Sequence, residues 1–226
     1  MNEYIDQVSN FCFEKFSDKV SSSNSEEYSY SHLPLCVIDA VFSIGVKYEG
    51  VTNTVNKFCN YFQIDKHSKS QELTVSDILK KLEPYTIEEL AEKIYDNRQR
   101  TSTANGILKA EAVNLFLNVL KQYNIETIID VEKVSDSARF EADIKAIKGQ
   151  TSGVCLKYFF MLAGNDDLIK PDRMIIRFLE TITGQSFSLY NCQLILSGVA
   201  NSLKEKGLKI TPKKLDNLIW QYQREL

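Results

Sequence analysis

At 226 residues, with 43% hydrophobic and 25% charged side chains and a formal net charge of −3, the chain has the composition of a folded protein with a sizeable core. That balance excludes intrinsic disorder and argues against coating of a polyanion by bulk charge, although a local basic face could still hold nucleic acid; one large domain or two small lobes remain equally open. The five cysteines (Cys12, Cys36, Cys59, Cys155, Cys192) form no CxxC pair or Cys/His cluster and read as reduced core thiols, while His32 and His67 give too little material for a histidine-built metal site or a Ser-His-Asp relay, so no metal is expected.

The N-terminus, MNEYIDQVSNFCF, is polar and lacks the apolar core of a signal peptide, and no run approaches the roughly 18 apolar residues of a membrane span. The expectation is a cytoplasmic protein, nucleoid-associated if bacterial, with no membrane partner. Ser17 to Ser31 is serine-rich and predicts a flexible connector. LPLCVIDAVFSIGV is continuously apolar and would suit a buried strand, but its length and Pro34 favour a helix. Val51, Val55, Phe58, Cys59 and Phe62 recur at helical spacing. Pro84 ends the helix before it, and Thr86 with Glu89 makes a capping box. Leu108, Ala112, Leu115, Phe116, Val119, Leu120 and Tyr123 predict the next amphipathic face. Phe140, Ile144 and Ile147 share a face, Gly149 to Gly153 is a short turn, and Val154 to Ala163 is a helix apolar nearly all the way round. Ile175, Phe178, Leu179 and Ile182, then Cys192, Ile195, Leu196, Val199 and Leu203, continue the helical period. Thr211-Pro212 then caps a last helix bearing Leu215, Leu218, Ile219 and Tyr222. Lys204, Lys206, Lys209, Lys213 and Lys214 read either as a solvated face or as an edge that contacts phosphates. No repeat of roughly 20–50 residues is present, which removes helical solenoids. The reading is an all-α chain of roughly ten to twelve helices with no convincing sheet.

Helix, glycine-bracketed turn, helix is an arrangement with chemistry in it. Glycines let backbone N–H groups approach a phosphate, and the following helix adds the partial positive charge of its N-terminus. Further on, a Pro-Asp pair opens another helix: Asp172 lies 19 residues after Gly153 and is followed by Arg177 within DRMIIRF. In these features the segment resembles the helix-hairpin-helix DNA glycosylase superfamily, whose hairpin reads apolar-Pro-Gly-apolar-Gly and is followed by a catalytic aspartate at the start of a later helix. AVFSIG (Ala40 to Gly45) is similar to the superfamily's early buried helix and GILKAEAV (Gly106 to Val113) to its Lys-Ala-Glu helix start. The resemblance covers roughly residues 35 to 180 in the family's order.

The resemblance implies a two-lobed, all-α glycosylase-like fold with a DNA groove between the lobes. Residues 33–165 would form one lobe; the N-terminal segment 1–32 would pack with residues 166–226 to form the other. It implies a monomer acting on double-stranded DNA as a monofunctional DNA glycosylase in base excision repair, a hydrolase of the N-glycosidic bond of a damaged or modified base. Asp172 would be the catalytic carboxylate, and Lys148, Gly149, Gln150, Thr151, Ser152 and Gly153 would hold the phosphate backbone, with a monovalent cation at the hairpin. A flipped base needs aromatic or apolar walls, for which Tyr48, Phe62, Tyr95 and Tyr158 are candidates, and the loop Arg98 to Gly106 could reach the duplex. The chain departs from the pattern in four places. Lys148 and Thr151 replace the hairpin proline and second glycine; Gly153 stands where bifunctional members carry a Schiff-base lysine; the four cysteines of an iron–sulfur loop are absent; and Gly45 stands where some members carry a DNA-contacting glutamine. Two rival readings stay open: a catalytically inactive DNA-binding module of the same fold, and a helical protein-interaction domain.

Overall fold

The most apolar segment of the chain becomes its most buried helix. In the computed structural model, which describes residues 1–22, 30–46, 48–68 and 72–225, LPLCVIDAVF forms a helix over Leu33–Phe42 in which every residue is buried. Pro34 sits in its first turn, where no N–H is missed. Counting helices in chain order, α1 spans Asn2–Ser22, this helix is α2, and α3 spans Tyr48–Phe62. Then come α4 (Val75–Leu82), a short α5 (Ile87–Glu89) running into a π turn at Leu90–Ile94, and α6 (Lys109–Gln122). A 3₁₀ turn at Ile128–Val134 precedes α7 (Ala138–Ala146), α8 (Val154–Leu162), α9 (Arg173–Thr183), α10 (Leu189–Glu205) and α11 (Pro212–Glu225). Among the described residues there is no strand, and Arg100 and Leu108 form an isolated bridge. The chain is all-α.

The helices divide into two compact units, one of residues Met1–Tyr28 and Asn165–Leu226, the other of Ser29–Gly164. In the second unit α2 is central and packs on α3, α6 and α8. Its C-terminal carbonyls are capped by a buried ammonium: Lys109 Nζ donates to Phe42 O (2.9 Å) and Ile44 O (2.8 Å) and reaches Gln99 Oε1 (3.3 Å). A cation at that end also suits the helix dipole. The capping box at Thr86 and Glu89 is present in full. On α6 the apolar face is Ala112, Val113, Phe116, Leu117 and Leu120, whereas Leu115 is 40% exposed, because the helix turns Leu117 rather than Leu115 toward α2 and its neighbours.

In the first unit α1 lies along α10, and α9 packs on α11. Gly198 permits the close approach of α1, since a Cβ there would lie 2.5 Å from Ile5 Cδ1. Val8, Cys12 and Phe16 from α1 join Phe178, Leu196, Val199 and Ile219 in one core. That packing changes the expectation of a connector over Ser17 to Ser31. The segment is helical as far as Ser22, with Val20 buried and its carbonyl accepting from Lys214 Nζ at 2.9 Å; residues 23–29 lie outside the described residues.

Candidate functional site

The turn between α7 and α8 is built on two left-handed glycines. Ile147 leaves the helix in an extended conformation, Gly149 has φ +90° and Gly153 φ +73°, and Gln150 N–H and Gly153 N–H close the turn onto Ile147 O (2.9 Å) and Gln150 O (3.0 Å). Gly149 is required for a second reason: a Cβ would fall 2.4 Å from Thr101 Cβ, so the loop after Arg98 presses directly on the hairpin. Lys148, Gly149, Thr151 and Ser152 are exposed, while Gln150 is buried. Gln150 Oε1 and Thr101 Oγ1 are both buried with no hydrogen-bond partner among the described residues, two oxygens the hairpin leaves unused. Gly153 opens α8 without a side-chain cap, and Val154 N–H donates weakly to Ser152 Oγ (3.4 Å). Over Gly153 lies the side chain of Lys145, whose Nζ would be 3.4 Å from a Cβ there and is paired with Glu141 at 2.5 Å.

In the other unit, Asp172 is the N-cap of α9. Its Oδ1 accepts from Met174 N–H (2.8 Å) and Ile175 N–H (3.4 Å), and the side chain is half-buried. Close by on α11 is Asp216, buried, with Oδ1 accepting from Lys170 N–H at 3.2 Å. Burial first, and then the charge of Asp172, push the Asp216 carboxyl up to about 8, against the opposing pull of Lys170. Burial thus favours the protonated form of Asp216. Arg177, a turn and a half into α9, donates from Nε to Gln223 Oε1 (2.6 Å) and so ties α9 to α11.

A third cluster surrounds Asp39, a carboxylate in the middle of α2 with no exposed surface. Tyr30 Oη donates to its Oδ2 at 2.8 Å and Tyr48 Oη to the same atom at 3.0 Å, while the hydroxyl of Tyr158 on α8 is hydrogen-bonded to that of Tyr48. Burial and the Asp39 charge raise all three phenols, which stay protonated and act as donors.

The structure thus brings Tyr48 and Tyr158 together around a carboxylate. It does not bring Phe62 and Tyr95 to them. Tyr95 is fully buried, stacked on Phe58 at 5.5 Å with a hydroxyl that has no partner, and Phe62 packs edge-on against Phe58 at 5.1 Å under Lys81 Nζ. Tyr30, Asp39, Thr101, Lys145 and Asp216 were not singled out from the sequence. Asp39 had a signal: it is the lone charge in an otherwise apolar helix, and a charge buried there has to be paired. Of the C-terminal lysines, Lys206 binds Ser9 Oγ and Asn10 Oδ1, Lys213 pairs with Asp166, and Lys214 holds Val20 O, so these three tie the unit together. No group of three or more His, Cys, Asp or Glu side chains placed to hold a metal occurs among the described residues, and no helix there is long and apolar enough to cross a membrane.

Fold and clusters together define a helical protein of two units, one bearing a glycine hairpin and a buried aspartate among tyrosines, the other a helix-capping aspartate beside a buried one. The chain belongs to the family described as a domain of unknown function (DUF8548), which it matches over residues 6–224. No curated protein and no solved structure matches it.

Proposed function

We propose that the chain is a monofunctional DNA glycosylase of the helix-hairpin-helix type, with Asp172 as its catalytic carboxylate and the Gly149–Gly153 hairpin as its grip on a duplex phosphate. The observation that carries the reading is the placement of Asp172. Two backbone N–H groups fix the side chain at the start of α9, so an oriented carboxyl group is presented from a half-buried position beside the buried Asp216, whose carboxyl burial pushes up. Breaking an N-glycosidic bond develops positive charge on the sugar, and a unit charge pair ~4 Å apart at an effective dielectric of about 20 is worth about 4 kcal/mol, roughly a thousandfold in rate. The N-terminal end of the α8 dipole, the exposed hairpin backbone and the Lys145 ammonium supply positive potential for a phosphate. Gln150 and Thr101 would hold a monovalent cation through their two unused oxygens, and its charge would add to that potential. Water is the nucleophile in this reading, because Gly153 has no side chain and the nearest amine, Lys145, is an ammonium paired with Glu141.

Purified protein is screened against duplexes that each carry one modified base, with alkali to cleave abasic products. At least one duplex should be converted to an abasic strand, and Asp172→Asn should slow that conversion by about two to three orders of magnitude while duplex affinity persists. Near wild-type turnover in Asp172→Asn reduces the residue to a helix cap. Duplex binding without excision of any base leaves the binding module.

A further inference from the structure

The carboxyl group of Asp172 is held in front by the helix it caps, and the chain behind it is held as well. Residues 168–171, which lead into α9, have no helix of their own, so their backbone N–H groups need partners elsewhere. Two side chains from two other helices of the same unit supply them. On α10, Gln193 Oε1 accepts from Ile169 N–H (3.1 Å), while its Nε2 donates to Asp167 O (2.9 Å) and to Ser197 Oγ (3.0 Å). On α11, Asp216 Oδ1 accepts from the next amide, Lys170 N–H (3.2 Å). Pro171 has no N–H, and Asp172 N–H closes a tight turn onto Lys170 O (2.7 Å). Every backbone donor from residue 169 to Asp172 is therefore taken, and the buried side chain of Ile169 anchors the segment in the core.

We propose that Gln193 and Asp216 are positioning residues for Asp172, holding the chain that precedes it so that its carboxyl group meets the substrate at a fixed place. The proposal rests on the glycosylase reading for its chemistry. Neither residue touches the reacting atoms in this role; each acts through the backbone. Capping ties Asp172 only to the helix it opens, whereas the two clamps tie it to α10 and α11 as well, so three helices fix one carboxyl group. That matters because a misplacement of about 1 Å can cost roughly a hundredfold in rate. Asp216 contributes one accepting oxygen, a part that an amide can also play. Gln193 contributes an acceptor and a donor together, which an apolar side chain cannot replace.

Three variants of the full chain test the clamp on the duplex that the screen identifies: Gln193→Leu, Asp216→Leu and Asp216→Asn, the last keeping an oxygen for Lys170 N–H. Gln193→Leu and Asp216→Leu should each lower kcat at least about tenfold with KM within about twofold, and Asp216→Asn should recover most of that loss. Unchanged kcat in Gln193→Leu overturns the proposal. So does an equal loss in Asp216→Asn and Asp216→Leu, which would give Asp216 a role beyond accepting that N–H. Gln193 is half-buried, so Gln193→Leu carries the test if Asp216→Leu does not fold. Amide exchange followed by NMR gives a second measure that needs no substrate. The Met174 N–H, held by Asp172 Oδ1, should exchange at least about threefold faster in Gln193→Leu, with the Leu179 N–H of the same helix unchanged. Unaltered exchange at Met174 overturns the clamp, and faster exchange at both amides, the mark of general destabilisation, overturns it too. The two readings fail separately. A wild-type chain that excises no base, with the Met174 response intact, sinks the glycosylase and leaves the clamp; excision without that response sinks the clamp and leaves the glycosylase.

Discussion

Asp216 makes the folding of its unit depend on pH, with a sign that can be worked out in advance. An unfolded aspartate titrates near 3.9, whereas the buried carboxyl keeps its proton up to about 8. Between those values the folded state binds a proton that the unfolded state has released. The stability this group confers is therefore complete below about pH 4 and is lost as pH rises toward 8, by at most about 1.4 kcal/mol per pH unit. Asp216→Asn keeps an oxygen for the Lys170 N–H and removes the titration. Its urea-unfolding profile should be flatter than that of the wild type from pH 5 to pH 8, and it should be the more stable chain at pH 8; parallel profiles would show that Asp216 ionises normally. At this scale the sequence was uneven. Asp172 was legible because Pro171 placed it at a helix start. Asp216, within KKLDNLIW, carried no local mark, since its burial arises only when α11 meets α9.

The hairpin is the element on which DNA binding is expected to turn. Lys145→Ala deletes the ammonium over Gly153 and leaves the turn intact, so duplex affinity should fall to a similar degree for every sequence and the salt dependence of log K should lose about one unit of slope. An unchanged slope would take Lys145 off the phosphate. Gly149→Ala should cost at least about 1–2 kcal/mol in the left-handed conformation alone, before its Cβ meets Thr101, and thermal unfolding would read the loss. Helices and their ends were the most legible part of this chain. The Thr86–Glu89 box and the proline opening α11 are local chemistry, complete within a few residues. The face of α6 was less so, because apolar residues at 115 and 117 both fit a helical stripe and only packing chooses between them. The loop pressing Thr101 onto Gly149 could not be read at all, being a contact between segments far apart in sequence.

For the whole molecule, the scattered cysteines have a plain consequence. All five are free and buried, and burial pushes up the thiols of Cys12, Cys59 and Cys192, that of Cys59 to about 11, so exposed thiolate is scarce in the native state. A thiol-reactive dye should label almost none of them at neutral pH without denaturant and all five after unfolding, at a rate that follows unfolding rather than dye concentration. Rapid labelling of a native chain would mean that a cysteine-bearing helix opens locally. The net charge of −3 bears on partners in the same way. Attraction for DNA has to come from a local face, so duplex binding should weaken steeply with salt although the protein as a whole is acidic.

The first unit is assembled from two segments that flank the other unit in sequence. During synthesis α1 emerges before the other unit, yet α10, the helix it lies along, is complete only about 180 residues later, roughly 9 to 36 seconds at ribosomal speed. For that interval the nascent chain displays an unclaimed apolar helix while the inserted unit already has all the sequence it needs to close. Birth order thus makes the Asp39 unit the one that matures first, and leaves α1 as the stretch a chaperone would meet.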